Sequence, residues 1–158
     1  MPAASLDARG FEQLLTGLCK TLTAECKRGA KFAKSIAFET RVREILKGLV
    51  ATYGIAVDFD PHPYVFPDIV LGEYGIEVKF TTNDTWRSVA NSVFESTRSP
   101  QVRHIYIIYG KMGGKPEVAW GRYEDCVIHV RTSHVPRFEV EMHPKASLFA
   151  KMGVSYQD

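Results

Sequence analysis

The chain has 158 residues, with 20 Lys and Arg against 18 Asp and Glu for a net charge of +2. That length carries one domain with its own core, spanning 1–158, and calls for no disulfide or structural-metal staple. The near balance of charge excludes a uniformly cationic surface, so contact with a polyanion has to come from local clustering. Cys19, Cys26 and Cys126 form no CxxC pair and leave an odd count, which fits a reducing cytoplasm. No run reaches the length of a membrane span and the N-terminus has no signal-peptide pattern, so a cytoplasmic protein without a membrane partner is expected.

The first helix is expected over about residues 8–28, with Phe11, Leu14, Leu15, Leu18 and Leu22 on one side, a stripe that packs on the core or forms a dimer seam. Lys27, Arg28, Lys31 and Lys34 follow, with Gly29, Ala30 and Ala33 between them. Such a segment either lies along a phosphate backbone or is a solvated linker. The second helix reads from Ser35 to Gly54 with Ile36, Val42, Ile45, Leu46, Leu49 and Val50 as its buried stripe. Glu39 falls on that stripe, three residues from Ile36 and three from Val42, and so faces inward. Charged residues are rarely buried without a partner, so Glu39 is either an edge acid paired with a lysine or a functional carboxylate.

Two β-rich runs come next, YVFPDIVL (64–71) and YGIEVKFT (74–81), separated by Gly72-Glu73 as in a tight hairpin. Side chains alternate along a strand, so Glu77 and Lys79 share one face while Ile76, Val78 and Phe80 point to the other. Pairing the strands brings Asp68 beside Glu77 and Lys79. Two adjacent carboxylates repel unless a cation sits between them, and an all-oxygen set suits Mg²⁺, or Mn²⁺ in its place. Asp68, Glu77 and the Val78 backbone carbonyl are the candidate ligands. Lys79 is the candidate for orienting a water and offsetting charge on a phosphate.

TTNDTWRSVANSVFESTRS (81–99) reads as a helix capped by Asn83 or Asp84, with Trp86, Val89, Ala90, Val93 and Phe94 as its apolar stripe. Arg87, Asn91 and Arg98 on its polar face are candidates for phosphate contacts, as are Lys31 and Lys34 upstream. The alternative is a solvated face. After Pro100 four β-rich runs follow at 102–110, 115–123, 126–133 and 137–144, with a loop at 111–114. HIYIIY, nearly all apolar, is expected to be a central strand buried on both faces. The order of elements argues for an α/β sandwich with a mixed sheet.

At Pro67-Asp68 and Glu77-Val78-Lys79 the chain resembles the PD-(D/E)XK nuclease superfamily. The resemblance implies a restriction-endonuclease-like three-layer sandwich, a mixed central β-sheet flanked by helices. It also implies Mg²⁺-dependent cleavage of double-stranded DNA with Asp68, Glu77 and Lys79 as the catalytic core. An N-terminal helix of that superfamily supplies an extra acid near the metal, and Glu39 occupies the matching position. A type II restriction endonuclease, or its catalytic domain, is the expected particular form. Cutting a palindromic site on both strands favours a homodimer. A repair or junction-resolving nuclease, or a non-catalytic nucleic-acid-binding module of the same fold, would carry the same elements. The small size leaves few residues for reading base edges, so a separate recognition domain is also anticipated.

Overall fold

A computed structural model describes residues 7–28, 32–51, 57–58, 68–92, 102–131, 137–143 and 147–153. Helix α1 runs Ala8–Lys27, started by Asp7, whose Oδ1 accepts the Gly10 N–H at 2.8 Å. Helix α2 runs Ser35–Val50. The strands are β1 (Val57–Asp58), β2 (Ile69–Leu71), β3 (Tyr74–Thr81), β4 (Arg87–Ser92), β5 (His104–Lys111), β6 (Glu117–Arg122), β7 (Val127–Arg131) and β8 (Arg137–Glu141). Two short helices, α3 (Tyr123–Cys126) and α4 (Leu148–Met152), complete the chain order.

The protein is mixed α/β with a mixed sheet. Five strands lie in the order β1-β2-β3-β5-β6, and only the β3–β5 pair is parallel. A second sheet, β4-β8-β7, is antiparallel. The β2–β3 hairpin turns through Gly72-Glu73 as its sequence demands. Gly72 has φ 61°, and this left-handed first position is the one a type II′ turn reserves for glycine.

The large sheet separates two cores. On one face Ile69, Leu71, Tyr74, Ile76, Val78, Tyr106 and Ile108 meet α1 and α2. On the other Val70, Ile105, Ile107 and Tyr109 meet the second sheet and the short helices through Tyr123, Val127, Val140 and Met142. β5 lies between β3 and β6 and is buried from Ile105 to Lys111, as its apolar run leads one to expect. Helices therefore flank one face of the sheet, whereas the second face is covered by a small sheet with α3 and α4.

Two sequence expectations are corrected here, and one left open is decided. Residues 87–92 of the run read as a helix form strand β4, where pairing with β8 outweighs the helical spacing of the apolar residues. On α2 the buried stripe is Phe38, Val42, Leu46 and Val50, a strict four-residue repeat. Ile36 and Leu49, assigned to it from sequence, are 70% and 40% exposed. The α1 stripe faces the core, with Phe11, Leu15, Leu18 and Leu22 all at 0% exposure, so it is not free to serve as a dimer seam. Among the described residues no helix is long and apolar enough to cross a membrane.

Candidate active site

β3 presents its residues alternately, and the two cores show which way each points. Ile76 and Val78 enter the α1/α2 core with Phe80 packed against it. Glu77 and Lys79, set beside Ile107 and Tyr109 of β5, face the opposite side. β2 pairs with β3 only from Leu71↔Tyr74 to Ile69↔Ile76. Beyond Ile76, Asp68 takes over from that ladder: its Oδ2 accepts the Val78 N–H at 2.9 Å. The N–H and C=O of one residue leave an extended strand on the same side, so the Val78 carbonyl faces the Asp68 edge as well.

Glu77 is 7% exposed, and its Oε2 lies 3.8 Å from Lys79 Nζ. Burial pushes the Glu77 carboxyl well above the usual range. Lys79 opposes the shift, while the Asp68 carboxyl, hydrogen-bonded to it, adds to it. Two carboxyls this close, one of them buried, repel each other when both are charged, and Lys79 offsets only part of that. The two acids and the lysine named from spacing alone are thus adjacent.

Glu39, on α2, lies within electrostatic range of Asp68 and Lys79, and its neighbour sets the position. Phe38 is fully buried, 5.5 Å centroid to centroid from Phe80. The tip of its ring lies against β5 at Gly110, where a Cβ would meet it at 2.7 Å. A glycine there lets the start of α2 settle onto the sheet beside the last residues of β3. Glu39, one residue on, feels the negative charge of Asp68 and the positive charges of Arg43 and Lys79. Burial raises its carboxyl above the ordinary value, Asp68 raises it further, and Arg43 and Lys79 pull it back.

The donors gathered here are carboxylate and carbonyl oxygens, the set a hard divalent cation takes. A carboxyl pair with one buried member disfavours the doubly charged state, a cost that such a cation relieves. As they stand, no three His, Cys, Asp or Glu side chains among the described residues form a metal-binding group. Asp68 and Glu77 form a pair, the Val78 carbonyl lies on their side, and Glu39 does not complete a carboxylate triad.

The residues proposed from sequence for DNA contact fare differently. Arg87 is on β4, its guanidinium 3.8 Å from Glu139 and 3.6 Å from Glu141 on β8, so two acids already flank it. Asn91 lies on β4, and Lys34 is the exposed residue preceding α2. Lys31, Arg98 and Pro67 lie outside the described residues. Sequence reasoning did not single out Arg43, whose Nη1 is 3.5 Å from Glu39 Oε2. The signal was present: Arg43 follows Glu39 by four residues, the spacing that stacks side chains on one helix face.

Comparison with protein-family models and with curated protein sequences finds no match to this chain.

Proposed function

We propose that this protein is a Mg²⁺-dependent endodeoxyribonuclease of the restriction-endonuclease-like type, hydrolysing phosphodiester bonds in double-stranded DNA. The observation that carries the reading is the meeting of Asp68, Glu77 and Lys79 along β3, with Glu39 of α2 in electrostatic range of Asp68 and Lys79. A binding module needs neither a buried acid with a second carboxyl against it nor a lysine beside them, because burying charge costs stability. Enzymes keep such groups because catalysis uses them.

Asp68, Glu77 and the Val78 carbonyl would hold the divalent cation, with Glu39 assisting. When bound, the cation supplies polarisation of the phosphate and acidification of a water. The chain's own part is in the other groups. Glu77, whose carboxyl burial holds above the ordinary range, would bind the cation in its charged form. Lys79 orients the attacking water and stands beside the charge that develops on phosphorus. Asp68, tied to the Val78 N–H, fixes the separation of the ligands on the two strands. Attack by water forms one P–O bond and breaks another, releasing a strand end with a phosphate and one with a hydroxyl.

Sequence-specific restriction by a homodimer is the particular form proposed. The surface of such a dimer is not the apolar stripe of α1, which is spent in the core. The test is cleavage of supercoiled plasmid DNA with Mg²⁺ and with EDTA, by the wild-type chain and by Lys79→Ala. Discrete fragments from the wild type, and a loss of about 10²-fold or more in the variant, are expected. DNA bound but never cut under any divalent cation would sink the reading.

A further inference from the structure

α1 turns Thr16, Lys20, Thr23 and Lys27 toward the edge strand β6, at the spacing that keeps residues on one side of a helix. Between this row and β6 lies a groove of about 530 Å³. That volume is within the about 300–1,000 Å³ of ligand sites. Trp120 of β6 lines the groove, and the exposed His143 adds a second flat ring to its lining.

The two hydroxyls of the row are occupied. Thr23 Oγ1 accepts the Val118 N–H at 3.0 Å and donates to the Val118 carbonyl at 3.3 Å, while Thr16 Oγ1 accepts the Trp120 indole N–H at 3.0 Å. β6 is the last strand of its sheet, so the Thr23 bonds shut the middle of that edge to an added peptide strand. The Thr16 bond and an edge-to-face contact with Tyr106 at 5.8 Å fix the Trp120 ring, which stays half-buried at the groove. The two lysines are not occupied. Lys20 and Lys27 are exposed and make no hydrogen bond or ion pair among the described residues, not even with Glu117, the one acid lining the groove. They stand seven residues apart, about 10 Å along the helix.

One wall of the groove is thus cationic and the other carries a fixed aromatic ring. Together they fit a polyanion with flat, unstacked bases: phosphates meet the lysines while a base lies on the indole. A double helix keeps its bases stacked inside and offers none to the ring. The net charge of the whole chain is only +2, so a pair of unspent lysines beside one groove is the kind of local clustering that contact with a polyanion requires.

We propose that the groove between α1 and β6 binds an unpaired strand of DNA, at a place separate from the cleavage site, since β5 lies between β6 and β3. That the strand is DNA rests on the nuclease reading above. Lys20 and Lys27 hold its phosphates, and Trp120 stacks on a base.

The experiment follows a labelled oligothymidylate, and a duplex of the same length, by fluorescence anisotropy in EDTA over a series of salt concentrations. The chains are the wild type, Lys20→Ala/Lys27→Ala, Lys20→Arg/Lys27→Arg and Trp120→Leu, with thermal melts to confirm folding and plasmid cleavage in Mg²⁺ measured alongside. The double alanine variant is expected to bind the single strand about tenfold or more weakly, and to lose about 1.4 from the slope of log affinity on log salt, at about 0.7 for each phosphate neutralised. The double arginine variant should keep both. Tryptophan emission of the wild type should fall on binding. Trp120→Leu, which leaves Trp86 as the only tryptophan, should lose that response and about tenfold in affinity. Unchanged affinity and slope in the double alanine variant overturn the proposal, as does a duplex that binds more tightly with the same dependence on the lysines. Poly-glutamate displacing the label as well as unlabelled oligothymidylate also overturns it, because charge alone then accounts for binding. Plasmid cut by a wild type that binds no single strand removes the groove proposal and leaves the nuclease reading. Single strand bound through the lysines, with no cleavage under any divalent cation, removes the nuclease reading and upholds the groove.

Discussion

Asp68 is joined to the backbone of the strand that carries the other acid: its Oδ2 accepts the Val78 N–H at 2.9 Å, one residue beyond Glu77. One side chain therefore closes the hairpin and supplies a charge to the site. Substitution separates the two duties. Asp68→Asn keeps an oxygen acceptor and removes the charge, whereas Asp68→Ala removes both. Both variants are expected to lose cleavage. Only Asp68→Ala should lose substantial stability in urea unfolding, by about 1–3 kcal/mol, the cost of stranding a partly buried N–H. Equal destabilisation by both would mean that charge, and not the hydrogen bond, holds the hairpin closed.

Glu77 gives a pH signature. Its carboxyl is pushed well above the ordinary value by burial, so the folded state binds the proton more tightly than the unfolded chain. Ionisation of Glu77 consequently costs stability. The cost is absent below the unfolded-state value near 4.5, grows as pH rises toward the folded value, and then stays constant. Glu77→Gln should therefore melt at a higher temperature than the wild type at pH 8 in EDTA, with the difference closing near pH 4. Mg²⁺ should narrow the gap at pH 8 by stabilising the wild type alone. A Gln variant less stable at pH 8 would show that the Lys79 pair outweighs burial.

The hairpin, the acid–lysine pair and the central strand were legible in the sequence because each rests on local chemistry. Gly72-Glu73 sets a turn, alternation puts Glu77 and Lys79 on one face, and an unbroken apolar run marks β5. The stretch after β3 was not legible. Trp86, Val89 and Ala90 are spaced like a helix face, but the segment is tied to the sheets by groups remote in sequence. Tyr109 Oη donates at 2.7 Å to the Arg87 carbonyl and lies 3.2 Å from that of Thr85, and β4 pairs with β8 some fifty residues on, at Arg87↔Glu141. The register of α2 was missed for a related reason. Phe38 was left out of the stripe because its partners, Phe80 and the bare backbone of Gly110, belong to two distant strands. Glu39, read from sequence as lying on the stripe, sits instead beside Phe38, half-exposed and within electrostatic range of Asp68 and Lys79.

Gly110 is where the fold controls the site from a distance. A methyl at this position meets the Phe38 ring at 2.7 Å, and the ring, fully buried against Phe80, has to move. Gly110→Ala is expected to cost about 1–3 kcal/mol as an overpacked core does, and to slow cleavage by displacing Glu39 with the start of α2. Phe38→Leu in the same chain makes room and should recover part of both losses, although the single Phe38→Leu change is itself destabilising. This sign reversal in a double-mutant cycle is the measurement. Additive losses would show that Gly110 is needed for the strand and not for the helix above it.

Lys111 tests how the route from β3 into β4 is held. Its ammonium is 6% exposed as a residue and bonds Asp84 Oδ1 at 2.8 Å, the Gly113 carbonyl at 2.8 Å and the Lys115 carbonyl at 3.0 Å, with the Trp86 ring 5.4 Å away. Three donors meet three acceptors, so a buried charge is fully satisfied and the β5–β6 loop is fastened to the segment that follows Thr81. Lys111→Met keeps the apolar stem but strands two carbonyls and Asp84. Because Asp84 is largely exposed, the expected loss is about 2–3 kcal/mol, below that of a wholly buried pair. Asp84→Asn, which leaves the two carbonyls bonded, should cost under about 1 kcal/mol. Comparing the two variants by urea unfolding decides whether the clamp rests on its carbonyl bonds or on its ion pair. A larger loss in Asp84→Asn than in Lys111→Met would assign it to the ion pair.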